Sequence, residues 1–185
     1  MTGDTAASIS TSDGIAFTKV ADTATANPAQ IWVSNSGMAG NSITVTINTS
    51  ASTPSGLAAD VISVSGMNSY GSSAVIQASN ADSGLGGASI DPVFPVSVQS
   101  ANPTLGIVAN ATNPATQLEP SGWTESADIG YATPTRGIET IFRNSGFSGT
   151  TITWGDTASS VFSAIAVELN ASASVSLFML LGVGT

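Results

Sequence analysis

Two distant stretches of the chain carry nearly the same ten residues. One is Asn35-Ser36-Gly37-Met38-Ala39-Gly40-Asn41-Ser42-Ile43-Thr44; the other is Asn144-Ser145-Gly146-Phe147-Ser148-Gly149-Thr150-Thr151-Ile152-Thr153. Each follows an apolar run, Ile31-Trp32-Val33 or Ile141-Phe142. Each leads into an alternating run, Ile43-Thr44-Val45-Thr46-Ile47 or Ile152-Thr153-Trp154. The pattern predicts a β-hairpin used twice, with glycines where positive φ is cheap. It constrains architecture far more than chemistry.

The rest of the chain reads the same way. Gly, Thr, Ser, Val and Ile are abundant, and the helix formers Leu, Glu, Lys and Arg are scarce. Strands are expected at Ile15 to Val20, Gln30 to Ser34, Ser42 to Thr49, Leu57 to Ser65 (buried), Ala74 to Ala78 and Phe94 to Gln99. Further strands are expected at Thr104 to Asn110, from Gly122-Trp123-Thr124 onward, and at Gly137 to Arg143, Thr150 to Trp154, Phe162 to Leu169 and Val175 to Val183. About ten to twelve short strands between small-residue turns predict an all-β fold, an antiparallel β-sandwich of jelly-roll type. Residues 1–13, small and polar, are expected to form an N-terminal arm, and residues 14–185 a single sandwich domain. The least regular stretch runs from Asn68 to Pro95. Its glycine-rich segment Ser79 to Gly87 has no phosphate-loop lysine and is either a connection or a binding loop.

A chain of 185 residues can hide ~70% of its unfolded surface. It has no cysteine, hence no disulfide or thiolate metal site, and no histidine, which removes the commonest general base and zinc ligand. Charged residues make up 8% of the chain, against ~25% in an average soluble protein, so Ser, Thr, Asn, Gly and Ala must form the surface. Lys19, Arg136 and Arg143 are the only basic residues and the formal charge is −9. No cationic patch for phosphates can be assembled, which argues against nucleic acid and against anionic membranes. The N-terminus Met1-Thr2-Gly3-Asp4-Thr5 has neither the basic nor the apolar region of a secretory signal, and the longest apolar run is far below the ~20 residues of a membrane span. The expectation is synthesis in a cytoplasm and release, if any, by lysis.

Catalytic constellations are weak. Without histidine a serine nucleophile would need Lys19 as its base, and Lys19 is better explained as an edge-strand charge that blocks unwanted pairing. Of the four glutamates, Glu119, Glu125, Glu139 and Glu168, the last two lie in expected strands and could be neighbours, as glycoside hydrolysis requires. Glu168 is more simply placed in solvent or paired with Arg143 or Arg136. Asp60, Asp82, Asp91, Asp128 and Asp156 sit at strand ends or in loops, but no Asp-x-Asp-x-Asp cluster occurs, so capping of turns is preferred to calcium binding. No catalytic residue, metal site or cofactor is expected, and the chain reads as a non-enzyme.

Aromatic rings offer another chemistry. Trp32 and Trp154 adjoin the repeated elements and are expected in the core. Tyr70 and Tyr131, placed in loops, and Trp123, after a Pro-Ser-Gly turn, are the candidate ligand- or partner-facing rings. The run from Val175 to Val183 has too few polar residues for a half-exposed strand. It is either a central strand or a surface buried against a neighbour, with Val175, Leu177, Phe178, Met179, Leu180 and Leu181 as candidate assembly contacts.

Several pieces in order, Ala39-Gly40-Asn41-Ser42-Ile43-Thr44-Val45-Thr46, Val64-Ser65-Gly66, Ser121-Gly122-Trp123-Thr124, Thr151-Ile152-Thr153-Trp154 and Ala166-Val167-Glu168-Leu169, carry a resemblance. From about Ala16 to Leu169 the chain resembles a β-sandwich domain found in bacteriophage virion proteins, capsid-decorating or tail-associated, and in bacterial surface proteins. The resemblance implies a fold and no catalytic residues; without a secretion signal it favours the virion members. The expected function is a non-catalytic structural protein of a phage particle, a capsid decoration or cement protein. It would be located in the virion after synthesis in the host cytoplasm, homo-oligomeric, and partnered by a major capsid or tail protein. The alternative is a carbohydrate-binding adhesion module at a tail or fibre tip, with a host glycan as partner.

Overall fold

The computed structural model describes residues 5–184 apart from 26, 39–41, 51–56, 113–116 and 134; of residues 171–184 it describes the backbone. Among the described residues twelve strands follow one another: β1 (Ala6–Thr11), β2 (Phe17–Asp22), β3 (Ala29–Ser34), β4 (Val45–Thr49), β5 (Leu57–Met67), β6 (Val75–Ala78), β7 (Asp82–Gly84), β8 (Thr104–Asn110), β9 (Thr124–Ala132), β10 (Thr135–Arg143), β11 (Phe162–Leu169) and β12 (Ala171–Gly184). Among the described residues the only helical piece is the 3₁₀ turn Gly71–Ala74. Every strand pair is antiparallel, and the all-β sandwich read from the sequence is the fold.

The sandwich has four layers. A four-stranded sheet, β2-β3-β12-β5, faces a six-stranded one, β6-β11-β8-β10-β9, in which β7 extends β6 along β11. Between them lie Ile31, Val33, Leu105, Ile107, Ile138, Ile165 and their neighbours. The β1-β4 ribbon covers the outer face of the smaller sheet through Ile9, Phe17 and Trp32. Irregular segments cover the outer face of the larger sheet through Ile90, Phe94, Trp123, Ile152 and Trp154. This layering explains why every residue of β3, β8 and β11 is buried. A strand covered on one face alternates apolar and polar residues; a strand covered on both need not.

The two Asn-Ser-Gly segments do not make hairpins. β3 pairs with β2 and β12 while β4 pairs with β1, and β10 pairs with β8 and β9. The chain after Gly149 runs along 90–94 instead: Phe94 N donates to Thr150 O at 2.7 Å and Trp154 N to Ile90 O at 3.1 Å. In both places the chain leaves a strand of a main sheet and joins a covering layer. Gly146 has the positive φ (86°) that the turn reading asked for; Gly37 does not. Instead, Gly37 lies against Tyr70, whose hydroxyl is 2.8 Å from where a Cβ would sit.

Two further expectations change. The N-terminal arm contains β1, which is fixed by its ladder to β4 and by Ala6 N donating to Gln30 Oε1 (3.0 Å), an oxygen that also accepts the Trp32 indole N–H (3.2 Å). The expected strand at Phe94 to Gln99 is irregular, because Pro92 and Pro95 remove ladder donors there.

Candidate functional site

Two buried carboxylates dominate the chemistry of the larger sheet. Glu139 on β10 and Glu168 on β11 are each 1% exposed, and both face the irregular outer layer. Glu139 accepts Gln117 N at 2.7 Å and the Trp154 indole N–H at 3.2 Å. Burial, helped by Glu125 and Asp128 nearby, pushes its carboxyl from the ordinary 4.5 up to about 8, against the opposing pull of those two hydrogen bonds. Glu168 accepts Gln99 N at 3.0 Å and Asn102 Nδ2 at 2.6 Å, and Gln77 Nε2 as well. The expectation that Glu168 points to solvent or pairs with an arginine is thus corrected. The alternation rule fails because the sheet has no open face at β11.

The two acids do not form a pair. They flank β8 opposite Val108 and Thr104. At ~3.4 Å per residue and ~4.8 Å per strand their Cα atoms are roughly 16 Å apart, beyond the ~5–9.5 Å at which two carboxyls work on one glycosidic bond. What they do is hold main-chain N–H groups of the outer layer onto the sheet.

The aspartates are similarly engaged. Asp60 Oδ2 accepts Thr140 Oγ1 at 2.6 Å and links the two sheets; Asp82 accepts Asp91 N and Asp156 accepts Leu118 N. No group of three or more acidic side chains is placed to hold a metal ion among the described residues. Lys19 lies on β2, an outer strand, and is ion-paired with Asp22.

The aromatic candidates separate. Trp32 (7% exposed) and Trp154 (3%) are core residues as expected. Trp123 is corrected: it is 9% exposed and packs edge-on against Phe147, with ring centroids 5.3 Å apart. Tyr131 lies in β9 rather than in a loop and packs half-buried against the inter-sheet core. Tyr70 is exposed beside the 3₁₀ turn. The three rings therefore make no common surface. The candidate assembly residues Val175, Leu177, Phe178, Met179, Leu180 and Leu181 lie on β12, whose backbone pairs with β3 on one side and β5 on the other; the surroundings of their side chains fall outside the described residues.

One concavity was not foreseen. An open cleft of about 690 Å³ lies between β5, at the edge of the smaller sheet, and the β9–β10 side of the larger. Ile62, Val64, Leu105 and Phe142 form its apolar lining; Ser63, Ser65, Ser126, Asn144 and Ser145 give it polar groups. Leu57 to Ser65, expected as a buried strand, is an edge strand with Val61, Ser63 and Ser65 exposed. Arg143, also at the cleft, donates from Nε to Ser145 O and from Nη2 to Gly146 O, both at 3.1 Å. Its guanidinium lies against Gly122 and Gly146, both at positive φ, so it braces two turns. The alternation Val61-Ile62-Ser63-Val64-Ser65 carried a signal for this edge; the cleft itself depends on sheet-to-sheet placement that no local pattern encodes.

Comparison with known proteins finds no matching family model, no matching curated protein and no matching solved structure.

Proposed function

We propose that this chain is a non-catalytic structural protein of a phage particle, acting as capsid decoration or cement. The observation that carries the reading is the use made of the chain's buried acids. Glu139 and Glu168, the groups best placed by burial for acid–base chemistry, are each occupied in accepting main-chain N–H groups that fasten one layer to another. The sparsely charged surface, rich in Ser, Thr and Asn, supports association with neighbouring virion proteins, a major capsid or tail protein, and with further copies of the chain. Neutral faces of Ser, Thr and Asn avoid the cost of desolvating ions. On a symmetric lattice, self-association adds avidity.

The jelly-roll assignment belongs to this proposal. Its support is that β12 inserts between the early strands β3 and β5, and β11 between β6 and β8, interleaving late and early strands as double-sheet rolls do. The phage-domain resemblance and the virion location rest on the sequence pieces quoted above. Quantitative mass spectrometry of purified particles, with cryo-EM to place the chain, tests the reading. Many copies on the head are expected; absence from particles overturns it. A second reading, an adhesion module at a tail or fibre tip, is favoured by the inter-sheet cleft and expects only a few copies at the tail.

A further inference from the structure

We propose that the cleft between β5 and the β9–β10 edge is a binding site for a neutral oligosaccharide of two to three sugar units. This deepens the second reading above by naming the site and its ligand class. A sugar chain presents hydroxyls around its rim and C–H groups on its faces, so it needs a partner surface of both kinds. The cleft supplies both. Phe142 and Val64 are half-buried and offer apolar surface, with buried Leu105 beneath. Ser63, Ser65, Ser126, Asn144 and Ser145 supply hydroxyls and an amide, and none of these five side chains makes a hydrogen bond to another described residue.

These five side chains are exposed at the cleft and open to a ligand, whereas Gln77 and Asn102 are bonded to Glu168, and Gln117 to Ser159, under the outer layer. The volume of about 690 Å³ falls within the ~300–1,000 Å³ of small-ligand sites. The charge of the ligand follows from the lining, whose described residues include no carboxylate and one cation. Arg143 is that cation, and it already donates to two main-chain carbonyls while bracing its turns. On a chain of formal charge −9 an anionic sugar would be repelled without a dedicated counter-charge. A neutral one meets no such opposition. The candidate ligand-facing rings Tyr70, Trp123 and Tyr131 do not line the cleft, so binding here is independent of Tyr70.

The test uses the isolated full chain and ¹H–¹⁵N NMR titration with cellobiose, maltose, lactose and N,N′-diacetylchitobiose, with sialyllactose as the anionic comparison. At least one neutral probe should bind with a Kd of about 1 mM or tighter and shift the amides of 61–65 and 142–145. Ser65→Trp, which fills the cleft from an exposed edge position, should weaken it at least about tenfold, equivalent to ~1.4 kcal/mol. Asn144→Ala, a milder change on an exposed residue, should weaken it severalfold if Ser65→Trp does not fold. Tyr70→Ala should leave it unchanged. No neutral probe bound below about 10 mM, shifts confined to other residues, or tighter binding of sialyllactose would each overturn the proposal. Because this experiment needs no particle, its failure leaves the copy-number test of the structural reading untouched.

Discussion

The indole N–H of Trp154 donates to Oε1 of Glu139 at 3.2 Å, while the same ring rests against Gly106 of β8. One side chain thus ties the outer layer to the larger sheet twice, once by a hydrogen bond to a buried acid and once by close packing. Both links yield measurable consequences.

The first is a dependence of stability on pH. The Glu139 carboxyl stands at about 8 in the folded chain against an ordinary 4.5. The native state therefore holds this proton more tightly than the unfolded state does. The group's contribution is fully present below about 4.5 and is lost as pH rises towards 8, at up to ~1.4 kcal/mol per pH unit. Thermal unfolding followed from pH 5 to pH 9 should show Tm falling across the window. Glu139→Gln, which cannot ionise, should flatten that slope. A wild-type Tm that stays level or climbs between pH 5 and pH 8 relative to Glu139→Gln would contradict the assignment.

The second concerns Gly106. A Cβ there would come within 3.0 Å of Trp154 Cη2 and 3.2 Å of Ile141 Cγ1. This glycine sits in β8 for space and not for a left-handed backbone, since its φ is not positive. Gly106→Ala should cost ~1–3 kcal/mol by overpacking, and Trp154→Ala ~3–5 kcal/mol by leaving a cavity. Chemical denaturation of both variants and of the pair checks this. In Gly106→Ala/Trp154→Ala the alanine methyl enters the vacated space, so the double variant should be less destabilised than the sum. Strict additivity would argue against the contact.

The strands whose boundaries matched their sequence reading are β8 and β11, at Thr104–Asn110 and Phe162–Leu169. Their apolar runs are continuous because both faces are covered, and an Asn102-Pro103 turn marks the start of β8. Pairing was far less legible. Ile31-Trp32-Val33 and Val45-Thr46-Ile47 look like hairpin partners in sequence, yet they stand in separate layers, because the alternation that identifies a strand does not identify its neighbour. The buried acids were missed for a related reason. A glutamate in a strand looks solvent-facing until another layer is known to cover it, and the layer over Glu168 has little regular structure of its own. The cleft combines residues from β5, β9, β10 and the 101–105 region, and its polar side chains are ordinary surface residues when taken one at a time.

Removing residues 1–11 tests the β1-β4 ribbon as a cover over Trp32. Ala6 and Ile9 pack against Trp32, and Gln30 joins Ala6 N to the indole. The shortened chain should retain the two main sheets but expose this ring. Its tryptophan emission should shift to the red and its Tm should drop, with the strand signal in circular dichroism kept. Unchanged emission would mean that the ribbon is not the layer that buries Trp32.

Truncation after Leu169 is the most severe of these changes. The sequence allowed the apolar C-terminal run either to sit inside the domain or to serve a neighbour. In the structure β12 pairs with β3 from Met179 to Val183 and with β5 along Ser176 to Gly184. Its loss splits the smaller sheet, leaving facing edges of β3 and β5 without their ladder partner, and each buried main-chain group so exposed costs ~1–3 kcal/mol if it finds no substitute. A domain of ordinary stability, ~5–15 kcal/mol, cannot absorb several such losses. The truncated chain should therefore lack a cooperative unfolding transition and the dispersed amide spectrum of the full chain. A shortened protein that still melts cooperatively would show that β12 is dispensable to the sandwich, and its ability to associate would then test the assembly role of Val175 to Leu181 directly.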